Sequence, residues 1–232
     1  MVGTDRRAVR TPRTTRRAHA VGVASRRLVP LQAGSCPAMR RLIARVNMNR
    51  LRISAVDEKH VRISGIPPLL VFCLRELPHI LEKRDTPDAR ARLFPAPTRD
   101  DAKANQDWEQ LIVPELRHLF VTAGETVARD RAKLEEESAE GHSCRVTFAA
   151  AHLNAWISAI NEARLILGEL FDVTEQDMNR EDLDLDDPKQ FAVLKIGALG
   201  WLLGHLIAFA TGESSAYDEP TTDETDGMRQ DE

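Results

Sequence analysis

Arg164 is the residue whose type and position most invite chemistry, because a charge stands there where an apolar side chain belongs. Between residues 149 and 171, Leu153, Trp156, Ile157, Ile160, Ala163, Leu167, Leu170 and Phe171 recur at helical spacing and mark one broad apolar arc. Arg164 falls inside that arc, and Asn161 lies one turn earlier on its polar margin. A guanidinium on a core-facing stripe must find partners, since an unpaired charge in the interior is strongly unfavourable. Two readings stand. In one, Arg164 pairs with Asp100 or Asp101 of the segment 85–101 and locks that segment down. In the other, Arg164 and Asn161 donate to an anionic ligand, a carboxylate or phosphate of the kind a guanidinium binds well. Arg92, within the same segment, is a third candidate ligand-binding residue.

Other chemistry is harder to place. The chain has no GxxxxGK[ST] or GxGxxG phosphate loop, and no HExxH or GxSxG motif. His142, Cys144 and His152 are close in sequence but lack the fourth ligand of a structural zinc site. No metal and no cofactor is therefore expected. Asp172 to Asp187 holds eight carboxylates. Counted from Asp177 or from Asp182, this run lacks the Gly at position six and the Glu at position twelve of a calcium loop, so it reads as a solvated loop. Cys73, in an apolar helix, reads as core rather than nucleophile, and His205 as a core or boundary histidine. Three cysteines with no CxxC pair give no disulfide framework and point to a reducing, cytoplasmic setting.

The elements that must position Arg164 follow from patterning. Leu51 to Val56 and His60 to Ile66 are β-prone runs parted by Asp57-Glu58-Lys59, a hairpin or pair of edge strands. Pro67-Pro68 opens a helix in which Leu70, Leu74, Leu77 and Leu81 keep helical spacing, with a kink at Pro78. Pro87, Pro95 and Pro97 predict an irregular loop from Asp85 to about Asp101, pinned by Leu93 and Phe94. Trp108, Leu111, Ile112, Leu116, Leu119, Ala123 and Val127 keep the helical period over roughly 102–138, and Pro114 splits that helix in two. Residues 135–142 read as a polar turn, and Cys144 to Phe148 as a strand joining the hairpin. After the helix of 149–171, Thr174 and Asp177 have capping-box spacing for a short helical turn. Asp187-Pro188 starts a last helix that Gly212 ends. The expected fold is α+β and mainly helical, with a small N-terminal sheet and one globular domain over 48–212.

The net charge of −4 conceals an asymmetry. Residues 1–47 carry eleven Arg, no Lys and one acid, whereas residues 48–232 carry 21 basic and 35 acidic side chains. The leader 1–47 has no aromatic residue and no periodicity, so it is expected to be disordered. Its composition is that of translated GC-rich DNA ahead of a start at Met48. Residues 213–232, with eight acids and one Arg, read as a disordered acidic tail. An acidic body repels phosphates, so no nucleic-acid partner is expected.

Phe191 to Ala210 is nearly continuously apolar and long enough to cross a bilayer. Lys195 interrupts it, at a cost of about 2.5–3.5 kcal/mol near a membrane centre, and both flanks are acidic. The segment therefore reads as a buried helix rather than a membrane span. Its glycines at 197, 200 and 204 would let another helix approach closely, from this chain or from a second copy.

Three stretches together carry a resemblance. They are Arg92-Leu93-Phe94-Pro95, the run Ala155-Trp156-Ile157-Ser158-Ala159-Ile160-Asn161-Glu162-Ala163-Arg164-Leu165-Ile166-Leu167-Gly168, and Leu199-Gly200-Trp201-Leu202. They resemble a bacterial, mainly actinobacterial family known as domain of unknown function 2017, over about residues 50–210. The middle run is the most specific, with Trp156, Asn161, Arg164 and Gly168 in register. The final helix is more apolar than the family pattern. The resemblance implies a small cytoplasmic protein without established activity. Members are often encoded near the adaptor of the Clp protease, which implies a link to regulated proteolysis.

The expected function is a non-catalytic interaction or regulatory module that meets a protein partner or forms a homodimer. The alternative is a small-molecule-binding protein or enzyme that uses Arg164 and Asn161 on an anion.

Overall fold

The computed structural model describes residues 50–137, 143–180 and 182–213. The leader 1–47, nearly all of the acidic tail and His142 lie outside them. Alternating burial builds the sheet. Strands β1 (Arg52–Ala55), β2 (His60–Ile66), β3 (Glu135–Glu136) and β4 (Cys144–Ala149) form one antiparallel sheet in the order β1-β2-β4-β3. Val61, Ile63, Val146 and Phe148 are buried on one face, while their sequence neighbours Arg62, Arg145 and Thr147 are not. The hairpin and the joining strand are as the sequence predicts. Strand β3 corrects the reading of residues 135–142 as a turn: Glu135 and Glu136 pair with Arg145 and Cys144 as a short, charged edge. At Gly65 the β2–β4 register shifts between Ile63 and Ile66. Gly65 has φ +64°, and a Cβ there would lie 2.2 Å from the Arg50 carbonyl oxygen. Only glycine fits that turn of the strand.

Helix α1 (Pro68–Leu81) begins with Pro at its first position and buries Leu70, Leu74, Leu77 and Leu81. A 3₁₀ turn (Glu82–Asp85) and α2 (Pro87–Leu93) follow. They correct the expectation of an irregular loop from Asp85. Pro87 sits in the first turn of α2, where it starts a helix instead of breaking one. Leu93 and Phe94 do pin this region, and the Phe94 and Phe120 rings meet at 5.7 Å.

Helix α3 (Ala102–Asp107) runs through a π turn (Trp108–Ile112) directly into α4 (Val113–Arg131). Pro114 therefore does not split the helical path. It lacks an N–H and its ring crowds the carbonyl one turn back, and the wider π turn just before it gives room for both.

A 3₁₀ turn (Ala150–His152) leads from β4 into α5 (Leu153–Leu170), the central helix, which packs against α1, α2, α4 and α7. Phe148 of the sheet stacks on Trp156 of α5 at 4.9 Å. Of the stripe expected on α5, Trp156, Ile160, Ala163 and Leu167 are buried, Leu153, Ile157 and Phe171 are half-buried, and Leu170 at its end is 41% exposed. The capping box of Thr174 and Asp177 starts α6 (Glu175–Met178). Lys189 Nζ, 2.7 Å from Asp177 Oδ2, ties α6 to the next helix, and this hydrogen bond above all holds the Asp177 carboxyl at about 2.

Asp187 caps α7 (Pro188–Thr211) by accepting from the Lys189 N–H, and Gly212 ends it with φ +71°. α7 is long and apolar enough to cross a membrane, and 67% of its most apolar window is buried inside this fold. It packs on α5, α1, α6 and β1. Buried Lys195 lies 5.1 Å from the centre of the Phe191 ring and 6.0 Å from that of Phe171, whose faces favour a cation.

Candidate functional site

Three polar side chains of α5 are fully or nearly fully buried, and each is held by a different neighbouring element. Arg164 is 8% exposed. Its Nε donates to the carbonyl oxygen of Ile196 on α7 at 3.3 Å. The guanidinium lies over Gly200, where an added Cβ would sit 3.0 Å from Nε and 3.1 Å from Nη2. The close approach expected at the α7 glycines is used at Gly200 by Arg164 of α5 in the same chain. Among the described residues no carboxylate opposes the burial that pulls the Arg164 pKa down. The expected pairing with Asp100 or Asp101 is corrected: Asp101 caps α3 through the Ala104 N–H. Two segments that compete for one residue are not resolved by spacing alone, and here the cap wins because it is local.

The other sequence candidates are placed differently. Asn161 is exposed on α5. Arg92 of α2 lies 3.7 Å from Glu169 of α5 and is about one-third exposed. Among the described residues, Arg164 bonds the Ile196 carbonyl and Arg92 faces Glu169, so these two share no partner.

Glu162, which the sequence did not single out, is the second buried group. Its side chain has no exposure, and Arg84 of the 3₁₀ turn donates Nε to Oε1 at 2.7 Å and Nη2 to Oε2 at 3.4 Å. Desolvation raises the Glu162 pKa, and the Arg84 hydrogen bond and charge oppose the rise. One-stripe reasoning misses Glu162 because α5 is covered on more than one face.

Trp156 is the third. Its Nε1 donates to Asp130 Oδ2 at 3.2 Å, and His152 Nδ1 meets the same oxygen at 2.8 Å. Asp130, at the end of α4, is 1% exposed, and Lys133 Nζ approaches its other oxygen at 3.5 Å. A buried carboxylate that orients a half-exposed imidazole is the arrangement general-base catalysis uses. Here the same carboxylate also satisfies a core indole, which gives it a structural task. A cavity of about 210 Å³, lined by Lys133, Glu135, Arg145 and Thr147, opens beside Lys133.

The remaining candidates are core residues. Cys73 is fully buried, and desolvation pushes its thiol up to about 12. His205 is 9% exposed, with Nδ1 3.0 Å from the Trp201 carbonyl oxygen one turn back. Among the described residues no group of three or more His, Cys, Asp or Glu could hold a metal ion.

A family described as a domain of unknown function (DUF2017) matches residues 15–210. The match begins well ahead of Met48, so it takes in much of the Arg-rich leader and corrects the expected starting point near residue 50. No curated protein and no solved structure matches the chain. With most of its length, central helix included, inside that match, the chain belongs to the DUF2017 family.

Proposed function

We propose that this domain is a non-catalytic interaction module linked to regulated proteolysis, and that it docks a protein partner on the ridge formed by Leu111, Ile112 and Leu119. One observation carries the reading. Leu111 and Leu119 are 66% and 63% exposed, the highest values among the described large apolar side chains, and Ile112 between them is 42% exposed. Ile112 and Leu119 are a heptad apart and share a helix face. The ridge begins inside the π turn, a backbone feature that recurs at functional sites. Exposed apolar clusters on one element are what protein docking sites present.

A second reading, anion binding by Arg164, has one observation in its favour: the buried guanidinium has a carbonyl partner and, among the described residues, no acid. The exposure of Asn161 and the close cover of Gly200 weigh against it.

The test is a titration of the full chain with the purified Clp-protease adaptor, beside co-purification from the native host. Leu111→Asp with Leu119→Asp is expected to weaken binding at least about tenfold while stability changes by less than about 0.5 kcal/mol, as for exposed positions. Equal binding by the double variant and the unaltered chain contradicts the ridge as the docking site.

A further inference from the structure

A row of cations crosses the outer face of the sheet. Register places Ser54, Arg62 and Thr147 in one row across β1, β2 and β4, and Arg145 opposite Glu135 in the next row toward β3. Arg62 donates Nε to the Thr147 hydroxyl and has no acid partner among the described residues. Arg145 pairs with Glu135, and Lys133, 63% exposed, stands at the rim of the cavity these residues line. Glu135 on Arg145 and Glu137, which accepts from the Gly65 N–H, are the acids beside these cations, so the face is more basic than residues 48–212 as a whole, which carry 27 acids against 20 basic side chains. Among the described residues it holds no Phe, Trp or Tyr, and the His60 imidazole beside Arg62 is engaged by Asp57, so its chemistry suits carboxylates in an extended peptide.

We propose that the chain's own acidic segment 213–232 docks on this outer face, over Arg62, Arg145 and Lys133, and covers it. The segment holds eight acids and one Arg. It lies beyond the family match, which ends at residue 210, so it is an appendage to the family domain. It leaves from the end of α7, a helix that packs against β1 of the same sheet. Reach does not limit the contact: twenty extended residues span up to about 66–72 Å, against a radius of gyration of about 15 Å for a compact domain of this size. Tethering gives the segment an effective concentration in the millimolar range, so individually weak surface ion pairs suffice.

Zero-length carbodiimide coupling of the full chain, which joins carboxylates to lysine amines, tests this. The leader 1–47 has no Lys, so tail pairing with the leader leaves Lys133 unlabelled. Tail cross-links to Lys133 are expected to exceed those to Lys83 and Lys103 by about fivefold. They should fall by about the same factor when salt rises from about 50 to about 500 mM, because screening shortens the reach of surface charges. Arg62→Glu with Arg145→Glu should remove them while the thermal transition stays cooperative. The salt series on the unaltered chain keeps the test valid if that variant does not fold. Cross-links spread evenly over the lysines, or a Lys133 yield indifferent to salt, overturns the proposal.

Discussion

Replacing Arg84 with Met destabilises the domain by about 3–5 kcal/mol at neutral pH, because Glu162 then keeps a buried negative charge without its partner. The loss depends on pH, and its direction follows from the carboxyl. Glu162 has a folded pKa above the ordinary 4.5 even with Arg84 in place, desolvation being the larger cause. A raised acid favours the folded state while protonated, and that contribution fades as pH climbs from 4.5 through the folded pKa. Removing Arg84 raises the carboxyl further, so the deficit of the variant is smallest near pH 4.5 and grows toward pH 8. Urea unfolding at several pH values reads this directly. Adding Glu162→Leu to Arg84→Met removes the stranded charge and is expected to recover most of the stability. A pH-independent deficit in the single variant would show that Glu162 is not ionised against Arg84.

Gly65→Ala is the second large effect, at about 3 kcal/mol or more, from two additive costs. A non-glycine residue at φ +64° is strained. Its Cβ would also meet the Arg50 backbone at 2.2 Å, and backbone cannot swing aside as a side-chain tip can. Gly212→Ala separates the two, since Gly212 has a similar φ of +71° with nothing within 4 Å. It should cost about 1 kcal/mol. Equal losses at both positions, measured by chemical denaturation, would mean that the clash at Gly65 relaxes freely.

What the sequence made legible was local. The hairpin, the Thr174–Asp177 box, the Asp187 cap and the Gly212 stop depend on residues a few positions apart, and all stand in the structure. The burial of Arg164 was also legible, because a helical stripe predicts which face turns inward. Its partner was not, since spacing along α5 does not say which backbone crosses it, and the Ile196 carbonyl lies 32 residues away. The pair Arg84–Glu162 was hidden for the same reason, separated by 78 residues. Leu111 and Leu119 keep a helical period yet face solvent, since periodicity alone does not say which face a neighbour covers, and the π turn resets the phase of the helix. The ridge on which the proposed function rests was therefore invisible as a surface until the fold placed it.

The claim underneath this account is that the charges buried around α5 are framework and serve no ligand. Thermal unfolding of the unaltered chain and of Arg164→Met, each with and without phosphate or citrate, tests it most directly. Arg164 has no acid partner among the described residues, so the variant should melt within a few degrees of the parent or above it, and neither anion should favour the parent. A bound anion at 100 times its Kd would stabilise by about 2.7 kcal/mol, a rise of roughly 5–10 °C for a domain of this size. Such a rise in the parent, absent from Arg164→Met, would contradict the account.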